Sequence, residues 1–240
     1  MYISHAMIVF LLETTSLEWG SLPLNVLSII GGGAPAFAAI IMLFKMYSEE
    51  EKKTYWKRVF LYKVHFFWWI LALFSPLVIG LVANLIYNDG WWYPGLEMAE
   101  IIAFPILFGF MIFAGGIEEL GWRGILQDTL SKKLNLMVIG IGIGVLWGVW
   151  HAPLFLIDVF AHYDYAFSTY LLSTVVYSLI LTLIFYKTKS ILLPVLMHAS
   201  INAFGNLGFG IPLEIHTPLI LFLVVLLIAF TFVLHFVENK

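Results

Sequence analysis

An all-α protein that crosses a membrane about eight times is the fold class this 240-residue sequence predicts, on three observations. Hydrophobic residues make up 62% of the chain and charged residues only 11%, where a soluble domain carries about 25% charged residues. The mean hydropathy is +0.97. The apolar residues also gather into runs that reach the roughly 20 residues a helix needs to cross a bilayer. Cysteine is absent, which removes disulfides, thiolate metal sites and cysteine nucleophiles together. A net charge of -3 offers no basic surface for nucleic acid, and no nucleic-acid partner is expected.

The spanning runs lie near 23–46, 64–87, 97–117, 135–157, 168–186, 190–209 and 217–237. An eighth, at 3–19, is short and contains Glu13 and Glu18. It lacks the basic start and small-residue cleavage site of a signal peptide, so it reads as a retained, tilted first helix. No soluble domain is left over, and the whole chain, 1–240, is expected to be a single transmembrane domain. The triple glycine Gly31-Gly32-Gly33 before Pro35 is too apolar for a phosphate loop and reads as a place for close packing or a kink.

Positive charge sets the orientation. Lys45, Lys52, Lys53, Lys57, Arg58 and Lys63 flank one loop, Arg123, Lys132 and Lys133 a second, Lys187 and Lys189 a third, and Lys240 ends the chain. With eight spans all four places share one side, and the opposite loops hold no Lys or Arg. By the positive-inside rule the basic loops and the C-terminus are cytoplasmic. The opposite loops carry Trp91, Trp92, Tyr93, Tyr163 and Tyr165, which suit a headgroup belt. The run from Ser48 to Thr54 reads as a polar cytoplasmic turn with solvated charges.

Against this apolar background three spans hold polar groups at helical spacing: Glu118, Glu119 and Arg123; Trp147 and His151; His198 and Asn202. Ionisable groups in lipid cost roughly 2.5 to 3.5 kcal/mol each on insertion scales, so they are expected to face one another or a wet cavity. Glu119 and Arg123, four apart, share a face and can pair as a structural ion pair. Glu118 points about 100° away and has no partner within its own segment, as a general base requires. His151 follows Gly140, Gly144 and Gly148, a small-residue face that admits a neighbouring helix, and Trp147 one turn earlier can wall its ring. His198 and Asn202 can both donate hydrogen bonds, which suits either an oxyanion hole or interhelical polar glue. His5, His65, His162, His216 and His235 read as interfacial bystanders.

Counting rise along each helix at about 1.5 Å per residue puts Glu118 roughly 18 Å, His151 roughly 25 Å and His198 roughly 12 Å from the basic side. With tilt and kinks the three can meet in the body of the membrane. No HExxH is present. One Glu with two His is still a usable zinc set, so the expected absence of a cofactor leaves zinc open. The same buried groups also suit a proton relay in a transporter, or a non-enzymatic immunity or scaffold protein.

Glu118-Glu119-Leu-Gly-Trp-Arg123-Gly124, Trp150-His151-Ala-Pro and His198-Ala-Ser-Ile-Asn202, in that order, resemble the CAAX prenyl endopeptidase and bacteriocin-processing (Abi) family of intramembrane proteases. The likeness spans about 98–206. Trp147 stands where the family's second motif usually has Phe. The resemblance implies about eight helices around a membrane-embedded polar cavity and a glutamate-dependent peptidase that cuts a membrane-associated peptide or protein in a bacterial-type plasma membrane. It implies that Glu118 and His151 activate water and that His198 and Asn202 stabilise the oxyanion. Glu119, Arg123 and Trp147 would be supporting groups. Which adjacent glutamate is the base stays open.

Because the chain has no native cysteine, single cysteines report orientation cleanly. Lys53→Cys should react with a membrane-impermeant maleimide only after inside-out vesicles are made, and Asp164→Cys only in intact cells. Labelling of both from one side would overturn the orientation.

Overall fold

The computed structural model describes residues 2–18, 20–88, 97–157, 162 and 166–209. Their regular structure is helical: α1 (Tyr2–Thr14), α2 (Leu22–Met46), α3 (Glu49–Val59), α4 (Phe66–Asn88), α5 (Met98–Ala114), α6 (Glu119–Gly121), α7 (Asp128–Leu130), α8 (Leu136–Trp150), α9 (Phe167–Thr188) and α10 (Leu192–Phe204). Six helical stretches are long and apolar enough to cross a membrane: Leu22–Met46, Phe66–Ala83, Met98–Leu130, Leu136–Leu156, Phe167–Thr188 and Leu192–Phe209. These coincide with six of the runs read from hydropathy, and the protein is an all-α integral membrane protein. The run at 217–237 and the aromatic outer-loop residues named above lie outside the described residues. The weak first run is the 13-residue helix α1, about 20 Å long and short of the roughly 30 Å hydrocarbon core. It leans on α2, where the missing side chain of Gly31 makes room for Ser4 and His5, and the Tyr2 hydroxyl donates to the Val149 carbonyl at 2.6 Å.

The polar run after Ser48 is a helix and not a turn. Ser48 and Glu51 form a capping box that starts α3: Glu51 Oε2 accepts from the Ser48 backbone N–H at 2.8 Å, and Ser48 Oγ accepts from the Glu51 N–H. These bonds hold the exposed Glu51 carboxyl below its ordinary range. The inner face of α3 is fixed by Tyr55, whose hydroxyl donates to the Leu120 carbonyl at 2.8 Å, and by an Arg58–Asp128 ion pair at 2.8 Å. The turn between α9 and α10 docks beside it, with the Ile191 N–H on the Arg58 carbonyl at 2.9 Å and Ser190 Oγ on the Leu61 carbonyl at 2.6 Å. The basic ends of α2, α3, α7, α9 and α10 therefore form one layer.

α9 is the hub. Thirteen of its 22 residues are buried, and α8 packs along it through the predicted glycine face. A Cβ at Gly140 would meet Leu179, at Gly144 the Val175 backbone, and at Gly148 Leu171 and Thr174. That approach lets Thr174 Oγ1 donate to the Gly144 carbonyl at 3.0 Å, a helix-to-helix bond of the kind small residues permit. On the other side of the bundle, α10 packs against α4 and α5.

Gly144→Ala should cost about 1–3 kcal/mol by overpacking. Gly142→Ala, where nothing lies within 4 Å of the added Cβ, should be neutral or gain up to about 1 kcal/mol of helix propensity. Thermal unfolding of the two variants in the same detergent compares them directly.

Candidate functional site

The helix that brings in the acidic pair is broken. α5 stops at Gly115 (φ -164, ψ -45), the chain makes a 3-10 turn over Gly116–Glu118, and α6 leads into a π-helix over Trp122–Gln127. Close contacts force part of this path. Gly116 lies against the Val195 carbonyl, Gly121 against the Pro35 backbone and Gly124 against the Tyr55 ring, so none of the three has room for a side chain. π segments recur at functional sites because they redirect side chains without ending the helix. Here Arg123 and Gln127 both turn onto α9: Arg123 Nη2 donates to the Ser178 carbonyl at 3.2 Å and to Ser178 Oγ at 2.8 Å, and Gln127 Nε2 to the Thr182 carbonyl at 2.9 Å.

Glu118, Glu119, Arg123, Trp147 and His198 are all between 0 and 3% exposed. The expected Glu119–Arg123 pair is present, with Arg123 Nη1 at 2.8 Å from Glu119 Oε2 and 3.1 Å from Oε1. Glu119 does more than neutralise the arginine, because its Oε1 also accepts from His198 Nδ1 at 2.8 Å. Oε1 of Glu119 thus accepts from both partners, and Oε2 is held in the ion pair with the same guanidinium. Glu118 has one bond, from the Trp122 indole N–H to Oε2 at 3.2 Å, and lies within electrostatic range of His198, Glu119 and Arg123.

With Nδ1 on Glu119, the other His198 nitrogen, Nε2, faces Gly115, and so does the side-chain nitrogen of Asn202. The two residues thus converge on one bare stretch of backbone three residues before Glu118. His151 caps the end of α8, where its Nδ1 lies 2.9 Å from the Trp147 carbonyl. A carbonyl only accepts, so Nδ1 carries the proton and Nε2 keeps the lone pair. Trp147 joins the two histidines: its ring centroid is 4.7 Å from that of His198 and 6.3 Å from that of His151. It bridges the difference in depth between them.

Three further groups belong to this surround and were not read from the sequence as part of it. Tyr170 of α9 packs 5.8 Å from the His151 ring and lies within electrostatic range of Glu118. His162, expected as an outer-loop bystander, stacks at 6.5 Å on His151 and meets Tyr170 edge to face at 5.3 Å; burial pushes its imidazole down to about 4, so it is neutral at ordinary pH. His5, expected at an interface, is buried against α2 and within electrostatic range of His151. Trp122, four residues after Glu118, was readable from helical spacing. Tyr170 sits four before Thr174, on the glycine-facing side of α9, and that too was a usable signal. Among the described residues, no three His, Asp or Glu side chains converge as a metal-ligand set. A pocket of about 400 Å³ lies on the basic side, between α3 and residues 124–132.

Residues 100–204 match the family described as Type II CAAX prenyl endopeptidase Rce1-like. The chain is also 29% identical over 183 residues to a Methanococcus maripaludis protein named CAAX prenyl protease 2, covering 70% of this chain and 67% of that protein. Both matches support the CAAX endopeptidase family, over the part of the chain that carries the polar motifs. The chain is accordingly a membrane-embedded peptidase, and the family match contains Glu118, Glu119, Arg123, Trp147, His151, His198 and Asn202.

Arg123→Met leaves the Glu119 carboxylate buried beside His198 without its main countercharge, and breaking a buried pair in this way costs about 3–5 kcal/mol. Chemical denaturation in detergent should show a loss of that size, and a smaller one for Arg123→Lys, which keeps the charge without the planar fork.

Proposed function

We propose that the chain is an intramembrane endopeptidase in which Glu118 and His151 activate water and His198 with Asn202 stabilise the oxyanion. The observation that carries this reading is the unequal use of the two glutamates. Glu119 is tied up by the Arg123 ion pair and by the His198 bond to its Oε1, while among the described residues Glu118 accepts from Trp122 alone. Glu118 is then the carboxylate with capacity to take a proton from water. The lone pair on His151 Nε2 accepts the second water hydrogen and orients the nucleophile.

The water oxygen bonds to the scissile carbonyl carbon, its proton passes to Glu118, and the carbonyl electrons move onto oxygen. That oxyanion meets the His198 and Asn202 nitrogens beside Gly115. To donate from Nε2 while Nδ1 donates to Glu119, His198 acts as the imidazolium, and Glu119 is its counter-ion. Collapse of the intermediate breaks the C–N bond, and Glu118 returns its proton to the departing amine. Removal of one oxyanion donor costs about 10²–10³ in kcat in comparable sites.

The substrate class is a membrane-associated peptide or protein. The likeness to a protein named CAAX prenyl protease 2 makes a prenylated CAAX peptide the first one to test. The positive-inside rule, applied to the basic loops, supports a reaction on the cytoplasmic side of a bacterial-type plasma membrane. The seven residues from Glu118 to Asn202 named above lie within a catalytic core of about 98–206.

Purified protein in lipid nanodiscs should cleave such a peptide. Glu118→Gln and His151→Ala should each lose about 10²-fold or more while their melting temperatures hold; His198→Ala should lose as much and also melt lower, because it removes a partner of the buried Glu119 carboxylate. Full activity in Glu118→Gln would overturn the assignment of the base. Chelator-treated protein should stay active; stoichiometric zinc whose removal abolishes cleavage would favour a metallopeptidase built on the same residues.

A further inference from the structure

The outward side of α3 has no role in the chemistry above, and its residues form a pattern. Lys53, Trp56, Lys57 and Phe60 follow one another at i, i+3, i+4 and i+7 and so share one face. All four are exposed, Phe60 at 70%, and the Trp56 and Phe60 rings stack at 6.5 Å. Two cations thus flank an exposed aromatic pair. The helix cannot roll over to bury those rings, because Tyr55 and Arg58 on its other side are bonded to Leu120, Asp128 and Ile191.

Its place in the fold says what meets this face. Tyr47 and Ser48 alone join α3 to the end of α2, where Phe44 and Met46 are each 72% exposed. Beyond it α4 opens with the exposed Phe66 and Phe67. These are the ends of membrane-spanning helices, so α3 lies at the level where hydrocarbon gives way to headgroups. Cationic stems that snorkel beside inserted rings are the pattern of a helix seated in that layer. The acidic residues of α3 sit in its first turn: Glu49 pairs with Lys52 at 2.6 Å, Glu51 caps the helix, and Glu50 lines the pocket beside Lys132. Glu49 and Glu50 lie one turn before Lys53 on its side of the helix, so the cationic stripe begins at Lys53.

We propose that the stripe Lys53–Trp56–Lys57–Phe60 is a binding surface for anionic phospholipid headgroups of the surrounding bilayer. Lys53 and Lys57 supply the charge, and the ring pair lies alongside the glycerol and upper acyl region. Because Tyr55 is bonded to Leu120, two residues past Glu118, a headgroup seated on α3 steadies the segment that carries the acidic pair. The proposal stands whether or not the chain cleaves a peptide, and its test does not use activity.

Detergent-purified protein is equilibrated with mixed micelles of phosphatidylglycerol and phosphatidylcholine, passed through gel filtration, and the retained lipids are counted by mass spectrometry. The wild type should retain phosphatidylglycerol in preference, at about fivefold for each lysine engaged. Lys53→Gln/Lys57→Gln should bring the two lipids to parity with an unchanged melting temperature. Raising the salt on the wild type from about 0.01 M to about 1 M cuts the Debye length from about 30 Å to about 3 Å, and should erase the preference without any variant. A stripe that only pins topology would retain both lipids alike. That result, or an unchanged preference in the double variant, overturns the proposal.

Discussion

Glu119 holds two spans together at one carboxylate, and the arrangement of the bundle follows from satisfying it. The carboxylate is fully buried and meets Arg123 of its own segment and His198 of α10. Arg123 is equally buried and reaches on to Ser178 of α9. Charges taken out of water this completely are tolerated only with close partners and further hydrogen bonds. α9 and α10 must therefore both stand against the broken helix, and the redirecting π turn, the glycines flush with Pro35 and Tyr55, and the close packing of α8 on α9 are the geometric terms of that meeting. The same contacts leave Glu118 beside the Glu119–Arg123–His198 cluster and outside it, with Trp122 as its one hydrogen-bond donor among the described residues.

Much of this was legible because lipid is an unforgiving solvent. Five spans could be read to within a few residues from hydropathy, and the start of a sixth, which runs on to Leu130, since a bilayer demands long apolar helices. Polar residues inside such runs stand out, so Glu118, Glu119, Arg123, His151, His198 and Asn202 could be named together. The glycine face of α8 was equally readable, because a four-residue spacing of small residues has one main use. The likeness to a peptidase family, which the comparisons support, followed from the order of those motifs.

What escaped had no local signal, or had one that composition masked. α3 looked like a turn because its charges outweigh its few apolar positions, although Ser48 and Glu51 already spelled a capping box. The bare backbone at Gly115 and Gly116 faces atoms of Asn202 and Val195, and the Glu119–His198 bond joins residues 79 apart. No window along the chain contains either relation. His5 and His162 were misplaced for the same reason: each reaches His151 only through tertiary packing, from the N-terminal helix and from the connection between α8 and α9.

The bond between Arg123 and Ser178 also spans 55 residues, and that separation has a consequence for biosynthesis. At about 5–20 residues per second, a ribosome delivers Ser178 roughly 3 to 11 seconds after Arg123. During that interval the guanidinium has only Glu119 for company in or beside the translocon. The i, i+4 spacing of those two residues then serves as an escort, a neutral pair that can wait in the membrane. α8 and α9 can zip through their glycine face as they emerge, which presents Ser178 to the waiting arginine. His198 and Asn202 arrive last, so the polar cluster is completed only when α10 has been inserted, and a nascent chain is kept from holding it assembled.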